Sequence, residues 1–369
     1  MKKIIKKVIL IILVIIVILA AGAGAFLYFW PSFGRAPSAG QQAAYVQRTD
    51  AFYDGVFHTP EAFQLLVVVE DRKGEAQAEL KPQGEIPVNM LTEIPEADID
   101  TLSFTWFGHS TFMLQMHGMN IFVDPILSDF SSPVGFVGAK RMAKVPMTAD
   151  ALPEIDLILI SHDHYDHLDY QTIKDIDHKV KNYCVPLGVE NHLERWGVAP
   201  EKIHTMAWWE DVDINGLRIS STPGQHYSGR LPWNSNQTLW SGYFLQDDNH
   251  KVYYTGDTGY GEFFGEISER YGAPDLMISE DGQYDPQWPD CHMSPREVLT
   301  AAGDMGADWL IPVHWAGFAL SRHDWDDPAV QLTALASGTD INVSTPRIGE
   351  IVDFNEIDDY QEAWWREVE

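Results

Sequence analysis

Three histidines and two aspartates crowd into the six residues His162-Asp163-His164-Tyr165-Asp166-His167, directly behind the largely apolar run 156–160. A short apolar run that stops abruptly at polar residues reads as a buried strand whose C-terminal end meets a functional loop. Imidazole nitrogen and carboxylate oxygen, without thiolate, suit zinc and neighbouring first-row ions such as iron or manganese. Alternate residues of an extended loop face one side, so His162 and His164 can converge on one ion. Asp166 and His167, beyond the turn, can then serve a second. A merely solvated polar loop gives no reason for three imidazoles at this spacing.

One loop cannot close two metal shells, and three other residues recur in the same setting, at the ends of short apolar or Gly-rich segments. His226 closes Thr222-Pro223-Gly224-Gln225-His226, Asp257 lies in Tyr254-Thr255-Gly256-Asp257-Thr258, and His314 follows Ile311-Pro312-Val313. Each alone is an ordinary polar residue at a strand end. Their recurrence at strand ends makes them the candidates for the missing ligands.

Period-two and apolar runs predict strands at 102–107, 111–116, 120–124, 156–160, 217–221, 240–245, 251–256, 275–279 and 309–313. Helices are expected at 169–177, 187–196, 294–306 and 327–336, the third opened by the capping box Ser294-Pro295-Arg296-Glu297. Strands interleaved with helices imply an α/β layered sandwich. Residues 51–100 carry little periodicity and are expected to wrap over the domain as an extended entry.

The first 30 residues stand apart. Lys2, Lys3, Lys6 and Lys7 precede an uncharged run from 8 to 30 that ends in Phe26, Leu27, Tyr28, Phe29 and Trp30. At a rise of about 1.5 Å per residue it spans a bilayer core of about 30 Å. Its aromatic end resembles an interfacial belt and favours an anchor, although Ala21-Gly22-Ala23 and Ala23-Gly24-Ala25 imitate a signal-cleavage site. The lysines are expected on the cytoplasmic side and the rest on the outer side. The expected organisation is therefore an anchor or signal segment at 1–30, a Pro/Gly-punctuated linker at 31–50 and a metallo-hydrolase domain at 51–369. With 25 Lys+Arg against 54 Asp+Glu the formal charge is −29, which argues against a nucleic-acid partner. Cys184 and Cys291 form no Cys-x-x-Cys pattern, so neither a disulfide framework nor a thiolate zinc site follows.

The series His-x-His-x-Asp-His, His226, Thr255-Gly256-Asp257-Thr258 and Val313-His314-Trp315 resembles the metallo-β-lactamase superfamily. Trp106-Phe107-Gly108-His109-Ser110-Thr111, Val123-Asp124-Pro125-Ile126, Pro186-Leu187-Gly188-Val189 and Trp208-Trp209-Glu210 are similar to the branch containing N-acyl-phosphatidylethanolamine-hydrolysing phospholipase D. The resemblance covers residues 52–350 and implies a four-layer αβ/βα sandwich. It implies that His162, His164 and His226 hold one Zn²⁺, that Asp166, His167 and His314 hold a second, and that Asp257 bridges them. Two such ions lower the pKa of bound water and neutralise charge on a phosphoryl group.

Asp257 and Asp166 are thus expected to be catalytic, with His292 as a further candidate that donates a proton or holds a phosphate. Asp124 is expected either to orient a ligand histidine or to form the turn before Pro125, and His109 to be structural. Arg230 reads as an anion contact or a surface ion pair. The tryptophans near the ligand loops (208, 209, 233, 240, 288 and 315) read as core packing or as an acyl channel. The resemblance implies a phosphodiesterase acting on an N-acyl phospholipid or similar lipid. A lactonase or ester hydrolase of the same fold is the alternative, and a non-catalytic metal-binding envelope protein is a third reading. The partners expected are a lipid or small-molecule substrate, the membrane and, as an open option, a second copy in a homodimer.

Overall fold

The computed structural model describes residues 2–67 and 78–368; residues 68–77 of the expected extended entry lie outside the described residues. Helix α1 (Lys2–Phe29) is followed by α2 (Ala39–Arg48) and a small hairpin of β1 (Phe52–Tyr53) and β2 (Val56–Phe57). The body then runs β3 (Ser103–Gly108), β4 (Thr111–Met116), β5 (Met119–Val123), the short pair β6 (Phe130–Ser131) and β7 (Ala139–Lys140), and β8 (Ile155–Leu159). Next come α3 (Tyr170–Ile176), β9 (Val180–Pro186), α4 (Glu190–Trp196), β10 (Ile203–Met206), β11 (Asp211–Ile214) and β12 (Leu217–Thr222). The second half comprises β13 (Gly242–Gln246), β14 (Lys251–Tyr254), α5 (Phe263–Tyr271), β15 (Leu276–Glu280), α6 (Pro295–Met305), β16 (Trp309–Val313), α7 (Asp327–Ala336), β17 (Asn342–Val343) and β18 (Ile351–Asp353).

Two seven-stranded mixed sheets result, ordered β10-β9-β8-β5-β4-β3-β18 and β11-β12-β13-β14-β15-β16-β17. In each, the middle strand next to the site, β5 or β14, is where parallel and antiparallel pairings meet, while β12 and β16 lie one strand in from the edges. Alternation along the strands sorts side chains between layers. Phe112 and Leu114 of β4, with Leu157 and Leu159 of β8, join Leu245, Val252 and Ile278 in the core between the sheets. Their neighbours Met113 and Ile158 face the other way and pack with Ile173 and Ile176 of α3 and Leu193 of α4. On the far side, Phe244, Tyr253 and Met277 meet Ile267 of α5, Val298 of α6 and Leu332 of α7. The layers are αβ/βα, the metallo-β-lactamase fold. Trp364 and Trp365, unexplained in an acidic tail, are fully buried against Trp315 and close this core.

The expected helix at 294–306 forms, and the Glu297 carboxylate accepts from the Ser294 backbone N and Oγ at 2.8 and 2.7 Å. Residues 31–50 differ from the expected linker. Ser38 caps α2, accepting from Gln41 N at 3.4 Å while its own N donates to the Gln41 side chain at 2.9 Å. The buried Tyr45 hydroxyl donates to Glu190 at 2.6 Å. The polar composition read as linker is that of a helix with one apolar contact face.

Helix α1 is 28 residues long, with a span at Lys3–Phe29 of mean hydropathy 3.2 and no part of the window buried. It is long and apolar enough to cross a membrane. Its end is clasped to the body: Trp196 Nε1 donates to Pro31 O at 2.8 Å, Arg195 to Tyr28 O at 2.7 Å, and Arg230 Nε to Ser32 O at 2.8 Å.

Candidate metal centre

Each residue of the cluster sits beyond the end of a strand. Asp124 follows β5, the 161–167 loop follows β8, His226 lies beyond β12, Asp257 beyond β14 and His314 directly after β16. The loop turns back on itself as His167 N and Leu168 N donate to His164 O at 3.2 and 2.9 Å. Asp169 then caps α3 by accepting from Thr172 N at 3.0 Å. Gly256 has φ of 61°, and a Cβ there would come within 2.7 Å of Ser241 O, so only glycine lets the chain swing Asp257 into the centre. Asp124 and His314, with φ of 40° and 69°, also hold left-handed backbone, a strain that clusters at functional sites.

The outward-facing atoms of the histidines fix their tautomers. His226 Nδ1 lies 3.0 Å from Cys291 O, a pure acceptor, so Nδ1 carries the proton and Nε2 is bare. Ser161 Oγ donates to Asp124 Oδ2 at 2.6 Å and therefore accepts from His162 Nδ1 at 2.9 Å. His167 Nδ1 donates to Asp124 Oδ2 at 2.8 Å, and His314 Nδ1 is 2.8 Å from Ser110 Oγ. The inward Nε2 atoms of His162 and His226 therefore carry lone pairs, both turned towards His164 Nδ1. His162 Nε2 and His164 Nδ1 are 2.8 Å apart, with His226 Nε2 3.4 Å from the latter.

Asp257 Oδ2 lies 3.0 Å from His167 Nε2, 3.3 Å from His314 Nε2, and 3.8 Å from both His162 Nε2 and His226 Nε2. Asp166 Oδ2 is 3.4 Å from His167 Nε2. His167 Nε2 and Asp257 Oδ1 are buried without a hydrogen-bond partner. Converging lone pairs and orphaned buried polar atoms fit cations placed between them.

Burial holds His162, His226 and His314 well below the ordinary imidazole range and His164 at about 4. Burial also pushes Asp257 up to about 6. It opposes the charged form of His167, but the carboxylates of Asp257, Asp166 and Asp124 outweigh it and raise that group well above its usual value.

A model of the Beta-lactamase superfamily domain matches residues 119–315, more than half of the chain. The chain belongs to that superfamily. An uncharacterized protein of Mycobacterium tuberculosis is 38% identical over 277 residues, covering 74% of each chain. An N-acyl-phosphatidylethanolamine-hydrolyzing phospholipase D of Caenorhabditis elegans is 31% identical over 253 residues, 65% of this chain and 71% of that one. Among solved structures, a metallo hydrolase of the archaeon Ignicoccus hospitalis shares the fold with a TM-score of 0.52 at 21% identity, covering 69% of this chain and 98% of its own. The protein is a metal-dependent hydrolase of the metallo-β-lactamase fold.

Every metal-ligand candidate from the sequence of this superfamily member falls in the one cluster, as does His292, whose ring stacks 5.3 Å from that of His314. Asp124 proves to be an orienting carboxylate. It is fully buried and accepts from Ser161 N, Ser161 Oγ, His167 Nδ1 and the Tyr254 hydroxyl at 2.6–2.8 Å. His109, expected to be structural, lies against Asp166 Oδ2 at 3.0 Å, and burial takes its pKa down to about 4, so it stands as a neutral donor.

Two readings need correction, those of Arg230 and of the tryptophans. Arg230 is neither a surface ion pair nor an anion contact: it is buried, and its Nη1 donates to Asp163 O and Leu168 O at 2.6 and 2.9 Å. Of the six tryptophans, only Trp288 lines the cavity over the metal cluster; Trp240 and Trp315 are core, and Trp233 is 63% exposed. Cys184 and Cys291 are both buried and free.

The sequence offered no sign of Asp163 as a support. Arg35 N donates to His192 Nδ1 at 2.9 Å, so His192 Nε2–H donates to Asp163 Oδ2 at 3.1 Å, and Gly229 N adds a bond of 2.7 Å. Burial alone would raise Asp163, but the hydrogen bond from His192, with the Arg230 charge nearby, outweighs it and holds the group below the usual carboxylate range. Its contribution to stability is present above the unfolded value of about 4 and fades as pH falls towards the folded one. His192→Phe is expected to cost about 1–3 kcal/mol at neutral pH and to flatten the acid side of the stability curve. Urea melts at several pH values test this; an unchanged midpoint at pH 7 contradicts it.

Metal uptake should have a shallow pH dependence. Four ligand imidazoles are already deprotonated at pH 7, and His167 alone among them must release a proton. The logarithm of affinity should rise by about one per pH unit between roughly pH 7 and 8, and by about two near pH 6, where Asp257, raised to about 6, must also release a proton. Competition with a chelator of known proton linkage measures it, and a slope of four or five would refute these protonation states.

Proposed function

We propose that the chain is a membrane-anchored phosphodiesterase of phospholipase D type, holding two Zn²⁺ and acting on N-acyl phospholipids or closely similar lipids. The observation that carries the reading is the cavity over the cluster. It measures about 430 Å³, has Asp166, Asp257, His164, His292 and His314 on its floor, and Leu65, Leu66, Tyr227, Trp288 and Leu320 along its walls. Apolar walls suit acyl chains, whereas no lysine or arginine lines the cavity among the described residues. The charge of a phosphodiester would therefore be met by the metal pair itself. The likeness to the C. elegans phospholipase D supports the same substrate class.

His162, His164 and His226 would hold one ion, Asp166, His167 and His314 the other, with Asp257 shared. Bound there, the pair would lower the pKa of water to give a nucleophile at neutral pH and would offset charge on the phosphoryl oxygens. The residues do the positioning: Asp124, Ser110 and Cys291 O fix the imidazoles, and His109 fixes Asp166. His292, with Nδ1 3.4 Å from Glu280 Oε2, would present its other ring nitrogen to the leaving oxygen. The aromatic end of α1 and the lysines at its start support a catalytic domain on the outer face of the membrane.

The full chain, loaded with zinc in detergent micelles, should release phosphatidic acid and the N-acylated headgroup alcohol from N-acyl phosphatidylethanolamine. Turnover of a lactone reporter without any phosphodiester cleavage would replace this reading with the lactonase one. Protease added to intact cells should digest the domain if it lies outside.

A further inference from the structure

The segment between β6 and β7 has no role in the cavity or the metal cluster beyond its base, yet three features single it out. First, it is bonded to the end of the membrane-length helix: Trp30 Nε1 donates to Pro133 O at 2.6 Å. Second, its tip is apolar and outside the fold, with Phe136 80% and Val137 55% exposed. Third, its charge runs against the rest of the molecule. From Phe130 to Ala149 there are three cations, Lys140, Arg141 and Lys144, and no acid, in a chain of formal charge −29. Arg141 is turned inward to Ile126 O and Ser128 O, and Lys144 pairs with Glu85, which leaves Lys140 exposed at the loop base.

We propose that this loop, led by Phe136 and Val137, seats in the lipid interface beside the end of α1, with Lys140 facing anionic headgroups; the proposal rests on α1 being a membrane anchor. Trp30 closes the aromatic end of α1, the level at which such rings meet headgroups. Three residues of chain reach at most roughly 10 Å, so Phe136 lies near that level. Apolar side chains with adjacent cations bind the boundary of acyl chains and headgroups by the same chemistry as interfacial helices. Ser131, at the other end of the loop, lines the cavity over the metal cluster. The loop thus runs from the bilayer to the mouth of the site.

The test uses the full chain in vesicles of phosphatidylcholine doped with phosphatidylglycerol. Phe136→Cys and, separately, Leu19→Cys carry a bimane label, with unlabelled wild type controlling for the buried Cys184 and Cys291. Lipids bearing a doxyl quencher high on the acyl chain should quench both labels, and aqueous iodide should quench neither. Iodide quenching at Phe136→Cys with lipid quenching at Leu19→Cys overturns the loop proposal and leaves the anchor standing. Loss of lipid quenching at Leu19→Cys removes the anchor and the proposal together.

Discussion

Replacing Asp257 with asparagine is expected to remove metal and turnover together. Its Oδ2 stands within 3.8 Å of four imidazole nitrogens drawn from both halves of the cluster. No other carboxylate in the cluster has this position. Asparagine keeps the shape and removes the charge, so the lone pairs of His162, His167, His226 and His314 lose the anion that balances cations between them. Turnover should fall by about three orders of magnitude or more, the scale of losing a metal-generated nucleophile. Metal per chain, measured by plasma mass spectrometry after desalting, should fall with it. Full metal content with turnover within about tenfold of wild type would show that Asp257 is not the shared ligand.

Asp124→Asn should be the most damaging change at a residue that touches no ion. Four donors end on this one carboxylate, which is completely buried. An amide turns one of those acceptors into a donor, aimed at Ser161 N in one orientation and at the His167 ring, the Ser161 hydroxyl and the Tyr254 hydroxyl in the other. Breaking a buried charged network of this kind costs about 3–5 kcal/mol. Misorienting the His167 ring should also weaken metal binding by about 10–100-fold. Tyr254→Phe is the matched control: it removes one donor, should cost about 1 kcal/mol and should leave metal affinity unchanged. Equal metal affinity in Asp124→Asn and wild type would reduce Asp124 to a turn residue before Pro125.

The contrast between those two aspartates explains what could be read in advance. Asp257 was legible because ligand residues must stand at the ends of buried strands, and apolar runs stopping at Gly-Asp or Pro-Val-His mark such ends. The strands and helices that carry the centre were legible for the same reason. Asp124 remained divided between two roles, since a hydrogen bond to a residue 43 positions away leaves no local pattern. Asp163 was passed over inside the histidine run because its partners, His192 and Gly229, lie far along the chain. Arg230 was misplaced since a guanidinium that reads three backbone carbonyls looks, in sequence, like any other arginine. Residues 31–50 were read from composition as a linker, although Tyr45 alone supplies the buried contact that docks α2. The tail tryptophans were opaque until Trp315 stood beside them.

The clasp at Arg230 bears on how the protein can be handled and how it stands in the cell. One guanidinium joins Ser32 O, just past the membrane-length helix, to Asp163 O and Leu168 O at either side of the ligand loop. A domain hung on a floppy tether would tumble above the bilayer and could be cut free anywhere along the tether. Here the first residues outside the helix double as a wall of the catalytic body. A recombinant fragment starting at about residue 51 would expose the underside of the ligand loop, whereas one starting at Trp30 would keep it sealed. The end of the helix and the ligand loop are thus tied through one side chain, so cutting the chain between them removes a contact of the catalytic body itself.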